Sequence, residues 1–257
     1  MGERTSHAPG TISWADLATS DPEAAKTFYD GLFGWEYEDS PVGEGMTYSM
    51  ARLQGRVAAA ISAQRDDERA QGIPPHWNVY VTVEDADATA AAVPAAGGQV
   101  LAGPFDVFEA GRMAVIADPA GAVLCLWQPG TNIGAQIVNV PGALTWPDCA
   151  TPDPAAAGAF YAELLGRRAE QMSEEPPYWV LWNGERTNGG LTSGMPGAPA
   201  AWFPYFATDS VDAKLEAAQA AGGARAVGPI DVPQGRFAIV QDPQGAIFAL
   251  SEAEFDD

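Results

Sequence analysis

The sequence predicts an α+β protein made of two similar halves, each built from two βαβββ modules. Three observations lead to this fold class. The segment DPEAAKTFYDGLFG at 21–34 returns as DPAAAGAFYAELLG at 153–166. A DPxGA segment closes each half, at 118–122 and again at 242–246. Short alternating apolar stretches, typical of strands, flank segments whose apolar residues recur at helical spacing.

The elements of the first half follow in order from local signals. Alternation predicts a first strand over 11–18. Asp21 can cap a helix that has Pro22 in its first turn, and Gly34 can end it. The second module repeats this order, with a helix at 85–96 that Pro94 can shorten. The remaining strands are predicted at 35–38, 46–53, 57–62, 76–83, near 100, 112–117 and 122–127.

The domain boundaries are taken from the repeat. We expect a flexible tail at 1–8, a first domain at 9–130, a linker at 131–142 and a second domain at 143–257. The linker is rich in Gly, Pro and Asn, as is typical of segments between domains.

Composition restricts the function classes. The formal net charge of -21 disfavours nucleic acid and anionic membrane surfaces as partners. The first residues contain no apolar run of the kind that begins a secretory signal, so we expect a cytoplasmic protein. Cys125 and Cys149 are expected to be buried and reduced. Because the fusion already joins two domains, a monomer or weak homodimer is expected.

The repeated motifs carry a family resemblance. The order D-P-x-x-A-x-x-F-Y-x-x-L-x-G after the first strand and D-P-x-G-A before the last resembles the vicinal oxygen chelate superfamily, which includes glyoxalases, extradiol dioxygenases and bleomycin-resistance proteins. The tandem form is similar to two-domain glyoxalase-like proteins of actinobacteria. The resemblance implies that the paired modules of each domain form a curved eight-stranded sheet around a cup, which holds a small molecule and often a divalent metal.

The resemblance also implies where metal ligands would stand. Family members use His or Glu on the first strand of each module and Glu near the end of the last strand. None of the corresponding residues here is a His or a carboxylate, and an indole offers only an N–H donor. We therefore predict no metal cofactor. The corresponding residues are Trp14, Asn78 and Cys125 in the first half and Trp146, Phe203 and Ala249 in the second.

Two aspartates keep a metal-dependent alternative open. Asp16 and Asp148 follow Trp14 and Trp146 by two residues and share their strand face. With Asn78, Cys125 or the nearby His76 they could hold a divalent ion, which would make the chain a lyase, isomerase or dioxygenase. The other interpretation is that both carboxylates accept hydrogen bonds from loop backbone or from the indoles.

Aromatic residues gather on the strands that should line the cups. Flat rings stack on planar ligands, so the leading hypothesis is a protein that binds, or acts without a metal on, a small planar aromatic molecule. A pure interaction module, with an exposed apolar patch and no cup, is the third alternative. Trp77 and Tyr80 have opposite parity, so some rings must fill the core. The residues predicted to bind the ligand are Trp14, Asp16, Tyr48, Asn78, Tyr80, Cys125, Trp146, Asp148, Trp179, Phe203 and Tyr205.

Two arginines of the repeat are expected to be structural. Arg112 and Arg236 each follow a glycine before the closing strands. The resemblance implies that each pairs with a carboxylate of the adjoining turn.

Overall fold

A computed structural model describes residues 2–43, 45–194 and 197–252, which contain sixteen strands and five helices. Within these residues no helix is both long enough and apolar enough to cross a membrane. The first half comprises β1 (Ile12–Thr19), α1 (Pro22–Phe33), β2 (Glu36–Gly43), β3 (Met46–Leu53), β4 (Arg56–Ala63), α2 (Asp66–Ala70), β5 (His76–Thr82), α3 (Ala86–Ala92), β6 (Gln99–Val107), β7 (Gly111–Ala117) and β8 (Val123–Pro129).

The second half repeats this order without a counterpart of α2. It comprises β9 (Leu144–Thr151), α4 (Pro154–Leu165), β10 (Arg168–Glu174), β11 (Pro177–Asn183), β12 (Arg186–Ser193), β13 (Ala201–Ala207), α5 (Val211–Ala220), β14 (Ala224–Val232), β15 (Gly235–Gln241) and β16 (Ile247–Ser251).

Each half folds into one eight-stranded sheet with the same strand order. The first sheet runs β2-β3-β4-β1-β5-β8-β7-β6, and the second runs β10-β11-β12-β9-β13-β16-β15-β14. The first strands of the two modules, β1 and β5, pair antiparallel at the centre, with Asp16 opposite Asn78. The predicted fold class, two tandem α+β domains of paired βαβββ modules, is confirmed.

Helices α1 and α4 begin and end where the repeat predicts. The Asp21 carboxylate accepts a hydrogen bond from the Ala24 N–H at 3.1 Å, and Gly34 ends α1 in the left-handed region at φ 69°. Asp153 and Gly166 do the same for α4. The DP and Gly positions of the repeat are therefore explained by helix capping.

Three local expectations differ from the structure. Helix α3 ends at Ala92, short of 96, because Pro94 lacks the N–H that another turn requires. Strand β2 reaches Gly43, well beyond the predicted 35–38. Helix α2 was not predicted, since its sequence DDERA has no apolar stripe and none of its residues is buried.

The two sheets pack through their helix-bearing faces. The first module of one half shares a core with the last module of the other, and a second core joins the two middle modules. Tyr29 of α1 donates its hydroxyl proton to Asp242 at 3.0 Å and accepts from the Trp77 indole N–H at 3.1 Å. The repeat supplies the reciprocal set, in which Tyr161 donates to Asp118 at 3.1 Å and accepts from Trp202 at 2.8 Å.

The first residues of the chain run beside the segment between the domains. Arg4 N–H donates to the Gln136 carbonyl, and Val138 N–H donates to the Gly2 carbonyl, each at 2.8 Å. Ala135 and Ile137 are buried. Backbone hydrogen bonds therefore join the first residues to the segment between the domains, while the flexibility of the tail at 1–8 stays a prediction. Residue 1 and residues 253–257, the outer ends of the predicted tail and second domain, lie outside the described residues.

Candidate functional site in the two concave faces

The side of each sheet that faces away from the helices is the candidate site. Side chains alternate along a strand, so Ala15 and Leu17 of β1 join the core against the helices, while Trp14 and Asp16 lie on the other face. We call the face around Asp16 cup 1 and the equivalent face around Asp148 cup 2.

The floor of cup 1 is a buried carboxylate with three donors. Asp16 accepts hydrogen bonds from the Tyr80 hydroxyl at 2.7 Å, the Tyr48 hydroxyl at 2.8 Å and the Asn78 amide at 2.9 Å. The Trp14 indole N–H donates to the Tyr48 hydroxyl at 3.2 Å. Only 5% of Asp16 is exposed. Its charge is thus stabilised by three neutral donors from two strands, β3 and β5.

The floor of cup 2 uses the same plan with one exchange. Asp148 accepts from the Tyr205 hydroxyl at 2.6 Å and from the Tyr178 hydroxyl at 3.0 Å. Phe203 occupies the position of Asn78 and cannot donate. The Trp146 indole N–H supplies the third hydrogen bond, also at 3.0 Å.

Burial controls the protonation of both carboxylates. Loss of water raises the pKa of Asp16, and the hydrogen bonds from Asn78, Tyr80 and Tyr48 partly oppose that rise. Burial likewise raises the pKa of Asp148 against the opposing hydrogen bonds of Tyr205, Tyr178 and Trp146. Neither floor contains an arginine or lysine that pairs with the aspartate in these hydrogen bonds.

Apolar side chains surround the floor of cup 1 and reach solvent. Large hydrophobic residues that are 40% to 44% exposed point into this face, as their strand parity shows. Phe105 pairs with Met113, which in turn pairs with Trp127 of the cup cluster. Cup 2 has a similar lining of half-buried residues. The exposed residues of cup 1 are Met46, Phe105 and Val123, and the half-buried ones of cup 2 are Ala150, Tyr178, Trp182, Phe237, Ile239 and Ile247.

Two surface cavities lie away from both aspartates. One of about 450 Å³ is lined by Gly2 and Ile137, among others, and one of about 230 Å³ by Thr151 and Pro199. A ligand in a cup would therefore rest on the apolar lining above the closed floor.

Most of the residues predicted to bind a ligand come together in the cups, and one does not. Trp179 lies on the opposite face of β11, where it packs against the core that contains α4, close to Gly158. Its assignment to the cup was wrong. Neighbouring residues of a strand point to opposite faces, and Tyr178 and Val180 point into the cup. The others lie in cup 1 (Trp14, Asp16, Tyr48, Asn78, Tyr80, Cys125) or in cup 2 (Trp146, Asp148, Phe203, Tyr205).

Trp77 and Trp202 also face away from the cups. Both donate to the interface tyrosines, so they belong to the contact between domains. Trp182 of β11, one of the aromatic residues on the predicted cup strands, lies at the rim of cup 2 on the same face as Tyr178 and Val180. Arg168 of β10 was not predicted as a site residue, and its guanidinium carbon lies 4.6 Å from the centre of the Trp182 ring.

The donors in the cups do not fit a divalent ion. Among the described residues, no three His, Cys, Asp or Glu side chains are grouped as a metal site. Both oxygens of Asp16 already accept hydrogen bonds from protein donors. Cys125 beside it is buried, and loss of water raises its pKa well above the usual range, which disfavours the thiolate that would bind a metal. The His76 Nδ1–H donates to the Pro74 carbonyl oxygen at 2.9 Å.

Two further expectations are confirmed outside the cups. Arg112 pairs with Asp87 at 2.6 Å and with Asp106 at 2.8 Å, and Arg236 pairs with the equivalent Asp212 and Asp231. Both arginines thus tie the last hairpin of a module to the start of its helix. Cys125 and Cys149 are buried free thiols.

Comparison with known proteins identifies the family. A family model described as the Glyoxalase/Bleomycin resistance protein/Dioxygenase superfamily matches residues 11–126, and a glyoxalase-like domain model matches residues 146–251. The chain belongs to this superfamily. Both halves are therefore superfamily domains, as the repeat and its motifs indicated.

Members of the superfamily from actinobacteria resemble the chain over nearly its whole length. CFP32 of Mycobacterium tuberculosis, whose name assigns it provisionally to the glyoxylases, is 45% identical over 255 residues and covers 97% of both chains. The anthracycline biosynthesis protein DnrV of Streptomyces peucetius is 35% identical over 264 residues, 96% of this chain and 95% of its own.

Solved structures of superfamily members share the fold at low identity. The Mn(II)-bound glyoxalase from Novosphingobium aromaticivorans superposes with a TM-score of 0.69 at 14% identity, over 100% of this chain and 85% of its own. Homoprotocatechuate 2,3-dioxygenase from Brevibacterium fuscum gives 0.67 at 15% identity, over 98% and 84%. These similarities concern the fold alone.

Proposed function

We propose that this chain binds a small, planar aromatic molecule on the concave faces of its sheets through side chains alone, without a divalent metal. The observation that carries the proposal is the apolar lining on the face of each buried aspartate, which is exposed in cup 1 and half-buried in cup 2. Exposed large hydrophobic residues that gather on one concave surface are typical of binding sites.

The lining suits a flat, largely apolar ligand. Met46 and Phe105 lie on strands at opposite sides of the first sheet, and both point into cup 1. A ring system laid across the cup would cover this surface and remove it from water, which is favourable at about 25 cal/mol per Å² of apolar area. The methionines can adapt to different ring outlines, because their side chains are flexible.

The floor supplies polarity without a metal. Asp16 and its tyrosines, with the equivalent set in cup 2, form a fixed polar patch under the apolar lining. A hydroxyl or amine of a ligand that reaches this patch would find an acceptor already held in place.

The relatives support an aromatic ligand. Two proteins that are 34% and 35% identical to this chain are named for anthracycline biosynthesis, and anthracyclines are built on planar fused rings. The solved structures, one of them Mn(II)-bound, share only the fold with this chain at 14% to 15% identity. They therefore do not support a metal in this chain.

Equilibrium dialysis against planar probes tests the proposal. 2-Naphthoate, 2-methylnaphthalene and 2-(aminomethyl)naphthalene share one ring system and differ in charge. We expect saturable binding of at least one of them. The repeat offers matched blocking variants at half-buried cup positions, Val115→Trp in cup 1 and Ile239→Trp in cup 2, because Val115 pairs with Cys125 and Ile239 pairs with Ala249.

Binding in a cup should be lost when that cup is filled. If neither variant reduces saturable binding, or if the wild-type chain binds none of the three probes, the proposal is wrong. Metal analysis of protein purified without chelator provides the second arm. A stoichiometric divalent ion that is lost in Asp16→Ala or Asp148→Ala would replace this proposal with a metal-dependent reaction.

A further inference from the structure

The rim of cup 2 contains a hydrogen-bond donor without an acceptor. The indole N–H of Trp182 is buried and has no hydrogen-bond partner, whereas Trp146 in the same cup donates to Asp148. A buried donor without an acceptor destabilises a protein, because its lost hydrogen bond to water is not replaced. An acceptor brought by a ligand would relieve that cost, so the position favours a ligand that carries one.

A cation stands beside this donor. Arg168 pairs with Trp182 across β10 and β11, and its guanidinium lies over the indole ring. Its side chain is 58% exposed and forms one ion pair, with Glu170. Because a guanidinium has five N–H donors, most of them remain available.

The equivalent rim of cup 1 has the opposite character. In the repeat Glu36 stands at the position of Arg168, and Arg52 stands at the position of Trp182. Arg52 is already engaged by the Glu38 carboxylate at 2.6 Å. This rim carries two carboxylates and one neutralised cation, so it offers acceptors. The rim of cup 2 offers donors.

We propose that Trp182 and Arg168 form a subsite in cup 2 for the acceptor group, a carboxylate, phenolate or carbonyl oxygen, of a planar aromatic ligand. The inference rests on the proposed function, because it assigns the polar end of a molecule whose rings lie on the apolar lining. In the bound state the ligand oxygen accepts from the Trp182 N–H and from the Arg168 guanidinium, while its rings contact Phe237 and Ile239.

The net negative charge of the chain makes a preference for an anionic probe informative. The chain has a net charge of -21, which repels an anion from most of its surface. Tighter binding of an anionic probe than of a neutral one of equal ring area therefore requires local donors.

Equilibrium dialysis of two probes in the Val115→Trp background, where cup 1 is filled, provides the test. We expect 2-naphthoate to bind more tightly than 2-methylnaphthalene. Trp182→Phe keeps an aromatic ring and removes the N–H donor. It should weaken 2-naphthoate by about tenfold, as expected for the loss of one hydrogen bond to a charged group, and 2-methylnaphthalene by less than about twofold.

Two further variants define the subsite. Arg168→Gln should also weaken 2-naphthoate selectively. Arg186→Gln makes the same charge change at an exposed position of the β11–β12 hairpin, where Arg186 pairs with Asn183, and should leave both affinities unchanged. The unfolding midpoint of each variant, followed by circular dichroism, separates a lost subsite from a lost fold.

The outcomes separate this inference from the proposed function. If 2-naphthoate binds, is excluded by Ile239→Trp and yet keeps its affinity in Trp182→Phe, the subsite is wrong and the ligand-binding function stands. Equal losses for both probes would mean that Trp182 contributes only ring contact, which also overturns the subsite. If the wild type binds 2-(aminomethyl)naphthalene but neither of the other two probes, the subsite is wrong and the ligand-binding function stands. If it binds none of the three probes, both are overturned.

Discussion

Cup 1 and cup 2 share a buried aspartate held by two tyrosine hydroxyls, but they complete its hydrogen bonds differently. In cup 1 the third donor to Asp16 is the Asn78 amide, and Trp14 donates to a tyrosine. In cup 2 Phe203 replaces the amide, and the Trp146 indole donates to the carboxylate itself. The same number of donors is kept by different side chains, because a buried carboxylate requires them.

The rims differ more than the floors. Cup 1 has the acidic pair Glu36 and Glu38 and the additional helix α2 between β4 and β5, whereas cup 2 has Trp182 and Arg168 at its rim. Glu36, Glu38 and Arg168 are exposed, so a change at these positions has little desolvation cost and leaves the floor intact. The difference indicates that the two halves keep the same buried network and differ at the rim.

The largest effect is expected where the halves are alike, at the two interface tyrosines. Tyr161→Phe leaves a carboxylate oxygen of Asp118 and the indole N–H of Trp202 without their partner. We expect it to lower the free energy of unfolding by about 3 kcal/mol, and Tyr29→Phe to lower it by a similar amount. Urea denaturation followed by tryptophan fluorescence measures both.

The control for these variants is a buried tyrosine whose hydroxyl forms no hydrogen bond. Tyr37→Phe removes a buried hydroxyl that has no hydrogen-bond partner, and it should change the free energy of unfolding little or raise it. A loss below about 1 kcal/mol for both interface variants would contradict the view that these hydrogen bonds hold the two halves together.

The next largest effect on stability is expected at a position of the repeat where the two halves have different residues. Trp35 packs in the core of the first half and donates to the Gly142 carbonyl, whereas the second half has Arg167 at the same position of the repeat. Arg167 is buried, two of its three guanidinium nitrogens lack a partner, and loss of water lowers its pKa to about 9. Among the described residues, the guanidinium donates one hydrogen bond, from Nη2 to the side-chain amide oxygen of Asn188 at 3.2 Å.

Arg167→Met should therefore stabilise the protein. Replacing a buried, poorly paired charge by an apolar side chain of similar length removes its desolvation cost, and we expect a gain of about 2 kcal/mol. Thermal and urea unfolding measure the gain, and Arg186→Met makes the same charge change at an exposed position. A destabilised Arg167→Met would mean that the guanidinium forms stronger interactions at the interface than its hydrogen bonds indicate.

The repeat predicts much of the fold because its motif residues are the ones that helix ends and strand faces require. Asp21, Pro22 and Gly34 have only one favourable use in that order, which is to begin and end a helix. Strand parity then follows from the alternation, and it places Trp14 and Asp16 on one face. The fold class could be predicted for these reasons without any tertiary information.

The sequence could not predict which contacts the motif residues form across the domain interface. Tyr29 belongs to the first helix and Asp242 to the last turn, and nothing local indicates that they meet. Trp179 was assigned to the wrong face because β11 has aromatic residues on both faces. Aromatic content therefore does not show which of its residues face the cup. The orphan donor of Trp182 is likewise a property of its neighbours in space.

A smaller effect on the free energy of unfolding should distinguish the two floors when the residue opposite each aspartate is changed. Ala60 lies opposite Asp16, and Gly190 lies opposite Asp148. A methyl group at Gly190 would overlap the Tyr178 hydroxyl and the Asp148 carboxylate. Gly190→Ala should therefore cost about 1.5 kcal/mol by overpacking, measured by urea unfolding.

The reverse change in the first half provides the contrast. Ala60→Gly removes a buried methyl group without any overlap and should cost about 1 kcal/mol, chiefly through added backbone freedom in the unfolded chain. If Gly190→Ala is neutral, the Asp148 network is looser than its hydrogen-bond distances indicate.

The smallest effect is a pH dependence that both floors should share. Burial raises the pKa of Asp16 in the folded chain, so the folded state binds a proton more readily than the unfolded one. The stability that this proton contributes is complete below the ordinary aspartate pKa of about 3.9 and is lost as the pH rises through the raised value. Asp16→Asn removes this dependence, because an amide does not titrate.

The difference in unfolding free energy between wild type and Asp16→Asn should therefore shift in favour of the wild type as the pH falls from 7 towards 4. Asp148→Asn should show the same direction, since burial also raises that pKa. Parallel urea titrations across this range measure both differences. A flat difference for Asp16 with a sloping one for Asp148 would show that the Asn78 amide, which Phe203 cannot replace, offsets burial in cup 1 alone.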